Sequence, residues 1–183
     1  NHTVSAGADT LFETKLHYYE PRFEGTTPTY TGNISEWEWQ HGTDAETNAY
    51  AFAYDRAARL VETKQYIDGV TSDGFVEKGI TYDSNGNITR ITDQSGKVTR
   101  YTYDKLGQLT REDNPYLNKT YVYTYDNAGN RLSKKTYAYT TGTPGNETAT
   151  ESYNYTGDRL TQVGSTVYQY DAIGNPATYN GYT

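Results

Sequence analysis

The side chains able to do chemistry in this sequence are few, and their spacing is poor for catalysis. His2, His17 and His41 are the only histidines and all fall in the first quarter of the chain, with no serine or cysteine arrangement to complete a nucleophile–base pair. Cysteine and methionine are absent, which removes disulfides, Cys-zinc sites, iron–sulfur clusters and thiol nucleophiles. The spacing Asp83-x-Asn85-x-Asn87 matches the opening of a calcium loop, but Ile88 stands where that loop needs Gly and no Glu closes it. Asp104, Asp126 and Asp171 each lack a second carboxylate at a spacing useful for general acid–base work. No catalytic, metal-binding or cofactor-binding residue is assigned on these grounds, and the sequence reads as non-enzymatic.

Two aromatic features could instead bind something. Trp37 and Trp39 fall on one face of an expected strand whose other face carries Glu36 and Glu38. That pattern suits an aromatic platform for a glycan; core packing with the glutamates in solvent produces it more often and is the preferred reading. A tyrosine-lined surface could also take a sugar, although tyrosines at hairpin spacing are explained by cross-strand stacking. Asn-x-Ser/Thr triplets begin at Asn1, Asn33, Asn87, Asn118, Asn146 and Asn154, and in a chain this rich in Asn and Thr they are expected by chance.

The elements that must carry these residues are announced by composition. Leu, Ile, Val and Phe number only 26 of 183 residues, while Tyr contributes 21 and Thr 30. A net charge of -7 is too small to hold such a chain open. Tyr and Thr both suit half-buried pleated surfaces, so the composition predicts an all-β protein with a thin, tyrosine-built core. With a pI near 4.9 and no basic cluster beyond Lys134-Lys135, nucleic acid is excluded as a partner. No apolar run is long enough for a membrane-inserted helix, and no signal segment opens the chain. Because it starts at Asn1 without Met, it reads as a fragment of a larger protein.

A tyrosine, a turn signal and an outgoing strand residue recur seven times, near 30, 54, 82, 103, 125, 155 and 170. The full form Tyr-Asp-x-x-Gly-(Asn/Gln)-x stands at Tyr82-Asp83-Ser84-Asn85-Gly86-Asn87-Ile88 and Tyr103-Asp104-Lys105-Leu106-Gly107-Gln108-Leu109. It returns at Tyr125-Asp126-Asn127-Ala128-Gly129-Asn130-Arg131 and Tyr170-Asp171-Ala172-Ile173-Gly174-Asn175-Pro176. A variant puts Ala58 in the Gly position of Tyr54-Asp55-Arg56-Ala57-Ala58-Arg59-Leu60, and contracted forms are Tyr30-Thr31-Gly32-Asn33-Ile34 and Tyr155-Thr156-Gly157-Asp158-Arg159-Leu160. Asp at the first position and Gly at the fourth predict a type I turn followed by a left-handed residue, the three-residue hairpin with a bulge. Gly32-Asn33 and Gly157-Asp158 predict two-residue connections with Gly first. Ala58 takes positive φ poorly, so its turn should be strained or of another type. Flanking residues alternate: Tyr121, Tyr123 and Tyr125 share a face, with Val122 and Thr124 opposite. A second class of turn, cleanest at Asp93-Gln94-Ser95-Gly96 and longer at 114–118 and 141–146, marks an opposite, length-tolerant edge.

This tyrosine–aspartate repeat resembles the Rhs/YD-repeat family of bacterial polymorphic toxins, which also occurs in Tc toxin shells and in teneurins. The resemblance covers the whole chain, with Leu11 to Tyr19 and Tyr30 to Ser35 similar to early repeats and Tyr170 to Tyr182 similar to a late one. It implies consecutive antiparallel β-hairpins joined into a curved, spiralling sheet, part of a β-shell or solenoid, with residues 1–183 forming a single array. It also implies a structural module of a hollow shell that encloses a carboxy-terminal toxin or other cargo, in a secreted or cell-surface bacterial protein. The family's Asp-Pro-x-Gly cleavage signature is absent here. Implied partners are the neighbouring repeats and the downstream core and toxin domain. Open sheet edges predict edge-to-edge self-association. The alternative function is an adhesion module that binds glycan or protein through exposed Tyr, Trp and variable loops.

Overall fold

The computed structural model describes residues 2–6, 9–23, 28–42, 46–71 and 77–178. Among these residues it contains strands, turns and bends and no helix. Hydrogen-bonded neighbours follow chain order along one antiparallel path, as expected for consecutive hairpins. The chain forms two compact units, residues 1–82 with 90–97 and residues 83–89 with 98–183.

In the first unit, β1 (His2–Ala6), β2 (Asp9–His17), β3 (Glu36–His41), β4 (Asn48–Tyr54) and β5 (Leu60–Ile67) pair in sequence; β6 (Val70–Thr71) folds back on β5, and β7 (Glu77–Tyr82) pairs with β5. Register puts His17 opposite Glu36, Glu38 opposite Ala49, and Ala49 opposite Tyr66. Ala49 and Ala51 leave a shallow floor on this face. Chain from the 18–35 connection covers it, with Phe23 stacked on Tyr66 at 4.6 Å between ring centroids and 14° between planes.

That cover reverses the preferred reading of the tryptophans. Glu36 and Glu38 are 0% and 2% exposed, whereas Trp37 is 40% exposed. The glutamates are drawn inward because the covering chain brings donors to them: Glu36 accepts the amides of Arg22 (2.7 Å) and Phe23 (2.9 Å), and Glu38 accepts from the Arg22 guanidinium at 3.0 Å. Trp37, Trp39, Tyr50 and Phe52 form a row of tilted aromatic contacts 5.2–6.4 Å apart on the other face.

β8 (Ile88–Asp93) is shared by the two units. In the second, β9 (Val98–Tyr103), β10 (Leu109–Asn114), β11 (Lys119–Tyr125), β12 (Arg131–Ala138), β13 (Glu147–Thr156), β14 (Arg159–Val163) and β15 (Thr166–Val167) pair in order, and β16 (Gln169–Tyr170) with β17 (Pro176–Thr178) makes a separate hairpin. Tyrosine rings here carry long cationic side chains, as Tyr82 carries Arg59 at 4.5 Å in the first unit. Arg131 lies over Tyr123 at 4.9 Å and Tyr153 at 5.5 Å, Lys134 over Tyr121 at 4.8 Å and Arg159 over Tyr170 at 4.9 Å. Tyr123 is buried, which with neighbouring Glu112 holds its hydroxyl proton far above the usual tyrosine range.

Candidate functional site

The motif residues build one local device, repeated. In each full turn the Asp amide donates to the carbonyl four residues on, and the Gly amide donates back to the Asp carbonyl, at 2.9–3.2 Å in the turns at 83, 104, 126 and 171. The Asp carboxylate completes it. Oδ1 of Asp126 accepts the amides of Ala128 and Asn130 at 2.9 Å, and Oδ2 accepts Asn130 Nδ2 at 3.0 Å. Asp83 does the same with Asn85 and Asn87, and Asp171 with Ile173 and Asn175. Asp104 takes the amides of Leu106 and Gln108. These donors hold the carboxyls of Asp83, Asp126 and Asp171 below the usual aspartate range, the Asn side chain leading at Asp83 and Asp126 and the Asn175 amide at Asp171.

Gly86, Gly107, Gly129 and Gly174 sit at φ between 79° and 95°, the left-handed region the motif requires. Ala58 takes φ 60 in the same place and keeps both turn bonds, so the strain alternative holds and the turn type is unchanged. Arg59 there replaces Asn, giving Asp55 Oδ2 a guanidinium partner at 2.7 Å. Gly157-Asp158 is a two-residue hairpin, with Thr156 opposite Arg159. Gly32-Asn33 is not: the β2–β3 ladder ends at His17 and Glu36, and residues 28–35 belong to the connection between those strands. Asp93-Gln94-Ser95-Gly96, expected as a second class, closes with the same bonds as the repeat turns.

In the motifs at 54, 82, 103, 125 and 170 the tyrosine does something the sequence does not announce. Its hydroxyl donates to a backbone carbonyl just after the preceding turn: Tyr54 to Ile34 (2.9 Å), Tyr82 to Leu60, Tyr103 to Ile88 (2.8 Å), Tyr125 to Leu109 (2.7 Å) and Tyr170 to Leu160 (2.7 Å). A register shift lies beside several of these places, between Ala53 and Tyr54, between Leu109 and Arg111, and between Asn154 and Tyr155. A bulge disrupts the local backbone ladder, and the next tyrosine supplies a donor there. The motif is therefore a turn at one end and a latch onto the previous hairpin at the other.

Of the histidines, His41 meets Phe12 edge-on at 5.5 Å, the side chain of His2 lies outside the described residues, and His17 joins a group that sequence spacing could not reveal. His17, Glu36 and Glu38 bring one ligand atom each within 4.8 Å of one another. They stand on two strands and meet only through register. Asn1 and Tyr182 also lie outside the described residues.

A family model described as RHS Repeat matches residues 82–116, which span the turns at 82 and 103. No curated protein sequence matches the chain. Among solved structures, the Tc holotoxin pore of Photorhabdus luminescens with a mutated TccC3 is similar at a TM-score of 0.59 and 20% identity, over 82% of this chain and 8% of that one. A TcdB2-TccC3 structure without its hypervariable C-terminal region is similar at a TM-score of 0.50 and 19% identity, over 84% of this chain and 8% of that one. The chain thus spans less than a tenth of those proteins, and the likeness is one of fold. It carries an RHS repeat at residues 82–116, set in a fold similar to that of the Tc toxin structures.

Proposed function

We propose that the chain is a structural wall module: residues 1–183 act as one array of about seven repeats, curved into part of a hollow shell that encloses a carboxy-terminal toxin or other cargo in an exported protein. The observation that carries this reading is the tyrosine latch. Motif tyrosines are spent on joining a hairpin to the one before it, which suits a wall. Function follows by exclusion: a continuous backbone ladder keeps solvent and proteases out, while a polar sheet face presents no large sticky surface to an unfolded cargo. The test is limited proteolysis of the longer protein carrying this chain. Its downstream segment is expected to resist digestion until the wall is unfolded; cleavage of that segment at the rate of an unfolded peptide would overturn the reading.

One observation favours a second function, adhesion. Trp37 keeps 40% of its surface exposed beside Trp39 and Tyr50, the arrangement of an aromatic platform for a sugar ring. Glycan-array binding that disappears in a folded Trp37→Ala variant would support it, and unchanged or absent binding would remove it. Edge-to-edge self-association through open strand edges is a third expectation, read by sedimentation over a range of concentrations.

A further inference from the structure

We propose that His17, Glu36 and Glu38 form a site for a first-row divalent metal ion, with Zn2+ as its representative. The Glu38 side chain is 3% exposed, and its Oε1 lies 2.8 Å from His17 Nε2, yet neither atom has a properly directed hydrogen bond among the described residues. Two buried polar atoms left in that state are an exception to the rule that such groups find partners. A bridging proton would need the two atoms aimed at each other; an ion instead would part them from 2.8 Å to the roughly 3.3 Å that zinc bonds of about 2.0–2.1 Å span at a tetrahedral angle.

Glu36 completes the set. Each of its oxygens accepts a single backbone N–H, from Phe23 or Arg22, and so retains a lone pair. Arg22 engages Glu38 through Oε2 and leaves Oε1 free for the ion. Glu36 is held by neutral backbone amides and the Arg22 guanidinium bonds Glu38 alone, so Glu36 has no cationic partner among the described residues. One imidazole nitrogen with two carboxylate oxygens suits zinc better than calcium or magnesium, which prefer oxygen-only shells. A polar cleft of about 240 Å³, lined by Glu13, Lys15, Arg22, Glu38, Gln40 and Thr47 among others, reaches Glu38, with His17 and Glu36 beyond its lining. His17 and Glu36 are the last register pair before residues 18–35 leave the sheet, so the ion would clamp the neck of that connection.

The experiment is titration of the EDTA-treated chain with ZnCl2 by calorimetry, alongside thermal melting. One ion per chain is expected, with a rise in melting temperature that neither MgCl2 nor CaCl2 reproduces. His17→Gln and Glu38→Gln should each weaken zinc binding at least about tenfold, while His41→Gln leaves it unchanged. NMR of the wild-type protein avoids any folding defect in the variants, and zinc is expected to shift the His17 ring resonances. Absence of binding, binding untouched by His17→Gln, or unmoved His17 resonances would each overturn the site.

Discussion

The two units solve the same packing problem differently. In the first, chain from the β2–β3 connection lies on the sheet, with Phe23 against Tyr66 and the Glu36 carboxylate holding two backbone amides. In the second, Arg131, Lys134 and Arg159 lie across tyrosine rings, a contact the first unit also makes with Arg59 over Tyr82. What stays constant is smaller than a hairpin: an Asp-stabilised turn, a left-handed fourth position and a tyrosine hydroxyl reaching back one repeat. Tyr54 and Tyr82 do this in the first unit, and Tyr103, Tyr125 and Tyr170 in the second. The repeat therefore fixes how hairpins are joined and leaves the covering of each face open to local sequence.

Removing the feature peculiar to the first unit should have the largest effect. Glu36→Ala strands the buried Phe23 amide and the half-buried Arg22 amide and is expected to cost about 3 kcal/mol. Urea unfolding reads the loss, and hydrogen exchange should localise it to the first unit; protection lost equally in both units would erase the contrast. A smaller effect tests what the units share. Tyr54→Phe and Tyr125→Phe each leave one carbonyl without its donor, and each should cost about 1–2 kcal/mol. Similar losses would establish a common latch, whereas a neutral result at either position would make it a local contact.

Ala58 gives a change of opposite sign. Ala58→Gly relieves a left-handed alanine and is expected to gain about 1 kcal/mol, while Gly129→Ala imposes one and brings a Cβ to 3.2 Å from Gln108 Nε2, losing at least as much. Paired thermal melts check both directions. The smallest effect is the pH dependence of the turns. Because folding lowers the carboxyl values of Asp55, Asp83, Asp126 and Asp171, their contribution is present above the unfolded aspartate value and is lost as pH falls through the folded values. Melting temperature should therefore drop below about pH 4, and Asp126→Asn should flatten that drop slightly.

What could be read from sequence follows from how local each feature is. Asp, Gly and Asn at fixed offsets specify a turn within five residues, so the turns at 82, 103, 125 and 170 were legible, as was the chain-order sheet they imply. The latch was not, because Tyr125 meets Leu109 only after two strands have found their register. Alternation likewise separated Glu36 and Glu38 from Trp37 and Trp39 but could not say which side would be covered. That was decided by Ala49 and Ala51 on the neighbouring strand and by Phe23 in a connection with no strand signal. The grouping of His17 with Glu36 and Glu38 escaped notice for the same reason: its partners lie across a ladder, nineteen and twenty-one positions on.

The central claim is that these hairpins are wall, and an electron cryomicroscopy map of the longer protein tests it most directly. The strands of this chain are predicted to continue, in chain order and with the tyrosine latches in place, into a sheet that surrounds density for the downstream segment. A map in which they form a free-standing arm, with that segment folded outside, would contradict the account.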